Sequence, residues 1–215
     1  MNEKQSIFER IKLYIIKPSV FFEKYKENPK YLFHLIVLII ISIATGLISM
    51  NVSREALNGA SDSLTGSEAE VVSGIMGFMT SPITIILGTI VMSLIGFYLM
   101  SLIYYVIVGM IFKGEGKFNH MMILVLLTSY PTKLLGLVKS FFPITDIETL
   151  NLMKTITSYV NIFSLWGLFL LIIGTTVLFN MSKKKAATIY IVLFIIGLLF
   201  ALGSYSLGNA AAALQ

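Results

Sequence analysis

The chain has 215 residues, 56% of them hydrophobic and only 13% charged, with a formal net charge of +5 and a mean hydropathy of +0.87. Soluble domains carry about 25% charged residues, so this composition excludes a water-soluble globule and describes an integral membrane protein. The basic residues flank apolar runs instead of forming one polar surface, which argues against nucleic acid, and the absence of cysteine excludes disulfides, thiolate catalysis, iron–sulfur clusters and Cys-based zinc sites.

Residues 1–30 hold eleven charges and no uninterrupted apolar run. They do not read as a signal peptide but as a cytoplasmic amphipathic segment at the membrane interface. Ser6-x-x-Glu9 forms a capping box that opens a helix over 6–16. Ile7, Phe8, Ile11, Tyr14 and Ile15 recur at helical spacing, and Glu9, Arg10 and Lys12 take the other face. Pro18 restarts the chain, and Val20, Phe21, Phe22 and Tyr25 make a second apolar face among Glu23, Lys24 and Lys26. An aromatic, basic helix beside a span suits the lipid interface, where Lys and Arg meet anionic headgroups; docking of a protein partner is the rival reading. Either way the candidate interface is Phe8, Arg10, Lys12, Lys17, Phe21, Phe22 and Lys24, joined by Lys117 and Phe118 from a later turn on the same side.

A span needs about 20 mostly apolar residues, and residues 31–205 read as a bundle of five, at about 31–50, 85–112, 121–142, 160–179 and 186–205. The second needs an argument. Residues 71–112 carry no charge and as one helix would run about 63 Å, twice the hydrocarbon core. A turn near Ser81-Pro82 would leave too little chain for a crossing before it. The reading is therefore a short surface helix opened by Ser67-x-x-Glu70, then one long tilted span. Residues 51–66 form a polar Gly/Ser-rich loop and 206–215 a short outer tail.

Orientation follows from Lys and Arg. Twelve of the sixteen lie in 1–30, 113–120 and 183–185; Arg54, Lys133, Lys139 and Lys154 lie on the other side. This places the N-terminus in the cytoplasm and the C-terminus outside. The fold class is all-α: five transmembrane helices with an N-terminal cytoplasmic amphipathic helix.

Catalytic sets are missing. His34 and His120 sit in HLIVL and HMMIL rather than His-Glu-x-x-His, Asp62 and Asp146 fall in loops, and no Gly-x-Ser-x-Gly elbow occurs. No cofactor, metal or catalytic residue is expected. The two histidines read either as a proton relay or as interfacial groups bonded to headgroups or loop backbone. Lys133 is the one charge deep inside a span, with Lys139 nearer the outer end, and is a functional candidate by default, although its stem could snorkel outward. Pro131 has no amide hydrogen for Leu127 and should kink its helix, with Thr128 placed to serve the freed carbonyl. Tyr130, Pro131 and Lys133 form a candidate cavity. Small residues at Gly197, Ala201, Ser204 and Gly208, and at Ser42, Gly46 and Ser49, predict close helix approach, within the chain or in a homo-oligomer.

Two stretches carry a resemblance. KPSVFFEKYKENPKYLFHLIVL (17–38) and GEGKFNHMMILVLLTSYP (114–131) resemble the first-span entry and the Gly-Lys-aromatic turn of bacterial YIP-domain proteins. The match is carried by Lys17, Pro18, Phe21, Phe22, Pro29, Gly114, Gly116, Lys117, Phe118, Tyr130 and Pro131. The resemblance implies a five-span helical domain without catalytic residues, acting as a scaffold or accessory subunit and, in some bacterial relatives, associated with ATP-binding-cassette transporters. The long N-terminal region and Asp-Leu-Tyr-Gly-Pro-type motif of Rab-binding members are missing, so Rab binding does not carry over. The competing expectation is a small-molecule or lipid transporter, perhaps a scramblase, working through Pro131 and Lys133.

Overall fold

The computed structural model describes residues 6–50, 71, 74–75, 77–142 and 152–212. No strand occurs among them. The helices are α1 (Ile7–Ile16), α2 (Pro18–Glu23), α3 (Leu32–Ile48), α4 (Pro82–Tyr105), α5 (Phe118–Ser140), α6 (Leu152–Tyr159), α7 (Ile162–Leu178) and α8 (Lys183–Ala212). A π-helical turn, Val106–Ile111, extends α4. The loop at 51–66 and the helix start at Ser67-x-x-Glu70 lie outside the described residues.

Among the described residues, three segments are long and apolar enough to cross a bilayer: Pro82–Ile111, Phe118–Ser140 and Lys183–Ser206. The chain is a multi-pass membrane protein. Helices α3 and α7 are equally apolar but have 17 residues each, about 26 Å at 1.5 Å per residue. Helix α4 begins at Pro82, three residues before the expected start of its span, because Ser81 accepts a hydrogen bond from the Thr84 N–H at 3.2 Å and Pro82 takes the first helical position. Helix α8 runs on through the expected tail to Ala212, where Ala-rich sequence favours helix.

Helix α5 is the axis of the bundle. Every residue from His120 to Thr128 is buried, which requires neighbours on all sides, and α3, α4 and α7 supply them. Helix α7 also packs on α8 and α2, and α6 packs on α8. In contrast α4 leaves Ile83, Leu87, Val91, Met92, Ile95 and Leu99 exposed. A side so apolar is at rest only in hydrocarbon. Small residues mark the tight approaches: a Cβ on Gly46 would stand 3.1 Å from Ile85 of α4, and one on Gly197 would overlap the Tyr159 hydroxyl. These are contacts within the chain.

Candidate functional site

Lys113, Lys117 and Lys183–Lys185 gather at one end of the bundle, here called the basic end. Two turns meet there. The Glu115 N–H donates to the Phe179 carbonyl at 3.0 Å, Asn180 Nδ2 donates to Glu115 Oε2 at 2.9 Å, and Lys185 Nζ donates to the Phe112 carbonyl at 2.7 Å. The Phe179 ring lies against Gly116, where a Cβ would stand 2.6 Å from its edge. Glycine is needed there because any side chain would displace the ring. Lys113 and Asn180 adopt positive φ, 55° and 51°, which lets both chains reverse within a few residues; the conformation is common for Asn and unfavourable for Lys.

The N-terminal segment folds back onto this end. Ser6 and Glu9 close a reciprocal capping box at 3.1 and 3.2 Å, which starts α1. Tyr14 then reaches α5, where its hydroxyl donates to the Leu127 carbonyl at 2.8 Å. That carbonyl is the one Pro131 leaves without an amide partner. Thr128, expected in this role, instead donates to Val125 O at 3.1 Å, because its hydroxyl can reach back only along its own helix. Phe22 is fully buried in a notch made by Gly174, where a Cβ would overlap Leu124 and stand 3.1 Å from the Phe22 ring. Phe21 is buried between Tyr14, Phe22 and Tyr25, with ring centroids 5.2–5.8 Å apart.

A polar chain links the same segment to α3 and α5. The Tyr25 hydroxyl is 3.0 Å from His34 Nε2, and His34 Nδ1 is 3.0 Å from the Tyr130 hydroxyl. His120 has a different set of partners. Its Nδ1 accepts from the Lys117 N–H at 2.8 Å, which leaves the proton on Nε2 to donate to the Lys26 carbonyl at 2.9 Å. Each histidine is held in its own set of bonds, and His120 binds loop backbone. Burial raises the phenol pKa values of Tyr14 and Tyr25 above their ordinary value.

The residues named for an interface therefore divide. Phe8, Arg10, Lys12, Lys17, Lys24 and Lys117 are exposed. Phe21 and Phe22 are core, and Phe118 is half-buried against Tyr98 and Tyr105. On α1, Tyr14 and Leu13 turn to the bundle while Phe8, Ile11, Ile15 and Ile16 stay outside.

The expected cavity is also rearranged. A cavity of about 650 Å³ opens in the opposite half of the bundle, between α4, α5, α6, α7 and α8, and Lys133 and Lys139 line it. Tyr130 and Pro131 are not among its lining residues. Tyr130 faces His34 on another side of α5, and Pro131 is buried beneath Tyr14's partner. Helix rotation explains the split, since residues three apart share a face only roughly and 130 and 131 fall away from 133. Lys133 does not reach away from the protein: it is half-buried with Nζ 5.7 Å from the Phe97 ring centroid. No group of three or more metal-ligating side chains occurs among the described residues.

A family model described as Yip1 domain matches residues 12–205. The chain belongs to the Yip1 domain family. Neither a curated protein nor a solved structure matches it. The Yip1 match begins inside α1, at residue 12, and so takes in Tyr14 and all of α2. Residues on which the resemblance rests have structural work here: Phe22 fills the Gly174 notch, Gly114 and Gly116 admit Phe179, and Pro131 creates the acceptor for Tyr14.

Proposed function

We propose that this Yip1-domain chain is a non-enzymatic scaffold or accessory subunit of a bacterial membrane complex. It crosses the bilayer five times, with the basic end and N-terminus in the cytoplasm, and the docked segment meets lipid or a partner there. One observation carries this reading: α1 is anchored through Tyr14 and through the Phe21–Phe22 pair on α2, yet keeps Phe8, Ile11 and Ile15 outside beside Arg10 and Lys12. A helix held so firmly, with an apolar side left uncovered, is built to meet something else. The resemblance to transporter-associated bacterial relatives favours subunits of an ATP-binding-cassette transporter as that partner.

The test is crosslinking and gentle affinity purification from native membranes, comparing wild type with Phe8→Glu/Ile11→Glu. A partner recovered with wild type and lost with the variant supports the reading; no partner above background removes it. The Lys133 cavity favours a second reading, passage of a small molecule or lipid. It is the weaker one, because the buried block His120–Thr128 and the Tyr104–Tyr190 pair stand between the cavity and the basic end. Flux in reconstituted liposomes that Lys133→Ala abolishes would restore it.

A further inference from the structure

We propose that the cavity in the half opposite the basic end is a binding site for the phosphate headgroup of an anionic lipid, entered sideways between α4 and α8. This stands apart from any partner at the basic end.

Size comes first. About 650 Å³ lies within the range that accepts a small molecule, about 300–1,000 Å³, and is ample for a headgroup with the start of an acyl chain. Charge comes next. Lys133 and Lys139 line the cavity, and no Asp or Glu is among its described lining residues. An ammonium held off water costs free energy unless an anion accompanies it, and Lys133 is half-buried with its nitrogen turned toward Phe97.

The hydroxyls around the two lysines are largely committed. Ser129 donates to Val125 O at 2.7 Å, Thr132 to Ser129 O at 3.0 Å and Ser164 to Tyr159 O at 2.7 Å. Beside Lys133 the two ammoniums are therefore the main donors offered to a ligand. Such a site reads negative charge rather than a pattern of donors and acceptors, which suits a phosphate of any anionic headgroup.

The shape selects an amphiphile. Below the lysines the lining turns apolar, with Met100, Val125, Leu171 and Leu193. Helices α4 and α8 do not pack along their length. The Tyr104–Tyr190 ring contact, centroids 5.5 Å apart, joins them about two turns from the basic end. Beyond it they leave a gap in a surface whose exposed side chains are apolar, including Leu99 on α4 and Ile196 on α8. A headgroup beside Lys133 can keep its chain in that gap, whereas a free phosphate would leave the apolar part unused.

The test uses the purified full-length chain in maltoside detergent, titrated by native mass spectrometry. The probes are dioctanoyl phosphatidylglycerol, dioctanoyl phosphatidylcholine and dioctanoylglycerol, with inorganic phosphate as competitor. The expected result is phosphatidylglycerol binding about tenfold tighter than either neutral probe, and a similar loss in Lys133→Gln/Lys139→Gln, with Lys133→Arg retaining binding. Gly96→Leu keeps both lysines and adds a side chain where a Cβ meets nothing within 4 Å; the expected result is an unchanged melting temperature with loss of the lipid. Equal affinity for all three lipids, or unchanged binding in the double lysine variant, overturns the proposal. Displacement of the lipid by millimolar phosphate, with phosphate alone occupying the site as well, makes it a free-anion site and overturns the lipid assignment.

Discussion

Tyr14 and Pro131 are 117 positions apart in the chain and answer one another at the Leu127 carbonyl. Proline removes the amide that would have bonded it, and the Tyr14 hydroxyl replaces that donor at 2.8 Å. Leaving a buried carbonyl unpaired costs about 1–3 kcal/mol, so Tyr14→Phe should lower thermal stability in detergent by that amount. Pro131→Ala restores an amide donor to the same carbonyl, so Tyr14→Phe should cost distinctly less in that background; equal costs in both would show that the bond carries no weight. The same residue ties stability to alkaline pH. Burial favours the neutral phenol of Tyr14 and of Tyr25, so their folded pKa values lie above the unfolded value of about 10. Their contribution is then complete below about pH 10 and lost as pH rises through the folded values. Phenolate absorbance should show these two tyrosines ionising late, together with release of the N-terminal segment. The freed Leu127 carbonyl was legible from Pro131 alone. The donor was not, since nothing local to either residue marks the other.

At the scale of elements, the N-terminal segment shows why an apolar residue at helical spacing does not reveal which neighbour will cover it. Phe8 and Phe22 belong to the same kind of aromatic-basic pattern, but Phe8 is 77% exposed and Phe22 is 0% exposed. Only the notch at Gly174 separates their fates. Phe22→Ala should therefore cost about 3–5 kcal/mol and loosen α2 from α7, whereas Phe8→Ala should leave the melting temperature unchanged and weaken only what α1 meets outside. Equal losses of stability would mean that α1 and α2 are not anchored as described. Gly174→Ala tests the notch from the other side: overpacking there should cost about 1–3 kcal/mol, and Phe22→Leu in the same chain should recover part of it. The long apolar helices and their centres were legible from hydropathy, with ends shifting by a few residues where Ser81-Pro82 or the Ala-rich tail extended a helix; α6, Leu152–Tyr159, was not, because it is too short and too polar to read as a span.

For the whole molecule, the absence of cysteine makes topology directly measurable. With five crossings, single cysteines at Lys184 and Lys139 should label from opposite sides of the membrane, Lys139→Cys in intact cells and Lys184→Cys only after permeabilisation. Labelling of both from the same side would require a different number of crossings between them, and α7 would be the helix to re-examine, since at 17 residues it is near the shortest length that spans.

Composition and pattern by themselves determined that this is a multi-pass helical membrane protein, because hydrocarbon demands long apolar runs whose backbones bond internally and water demands charge between them. They also placed Lys133 within a span and Pro131 beside it. Tertiary structure alone decided which side of each helix meets protein and which meets lipid. In a bilayer both surroundings are apolar, so hydrophobicity no longer separates inside from outside, and steric fit takes over. Gly174 admits Phe22, Gly116 admits Phe179, and the rotation of α5 turns Tyr130 toward His34 while Lys133 lines the cavity.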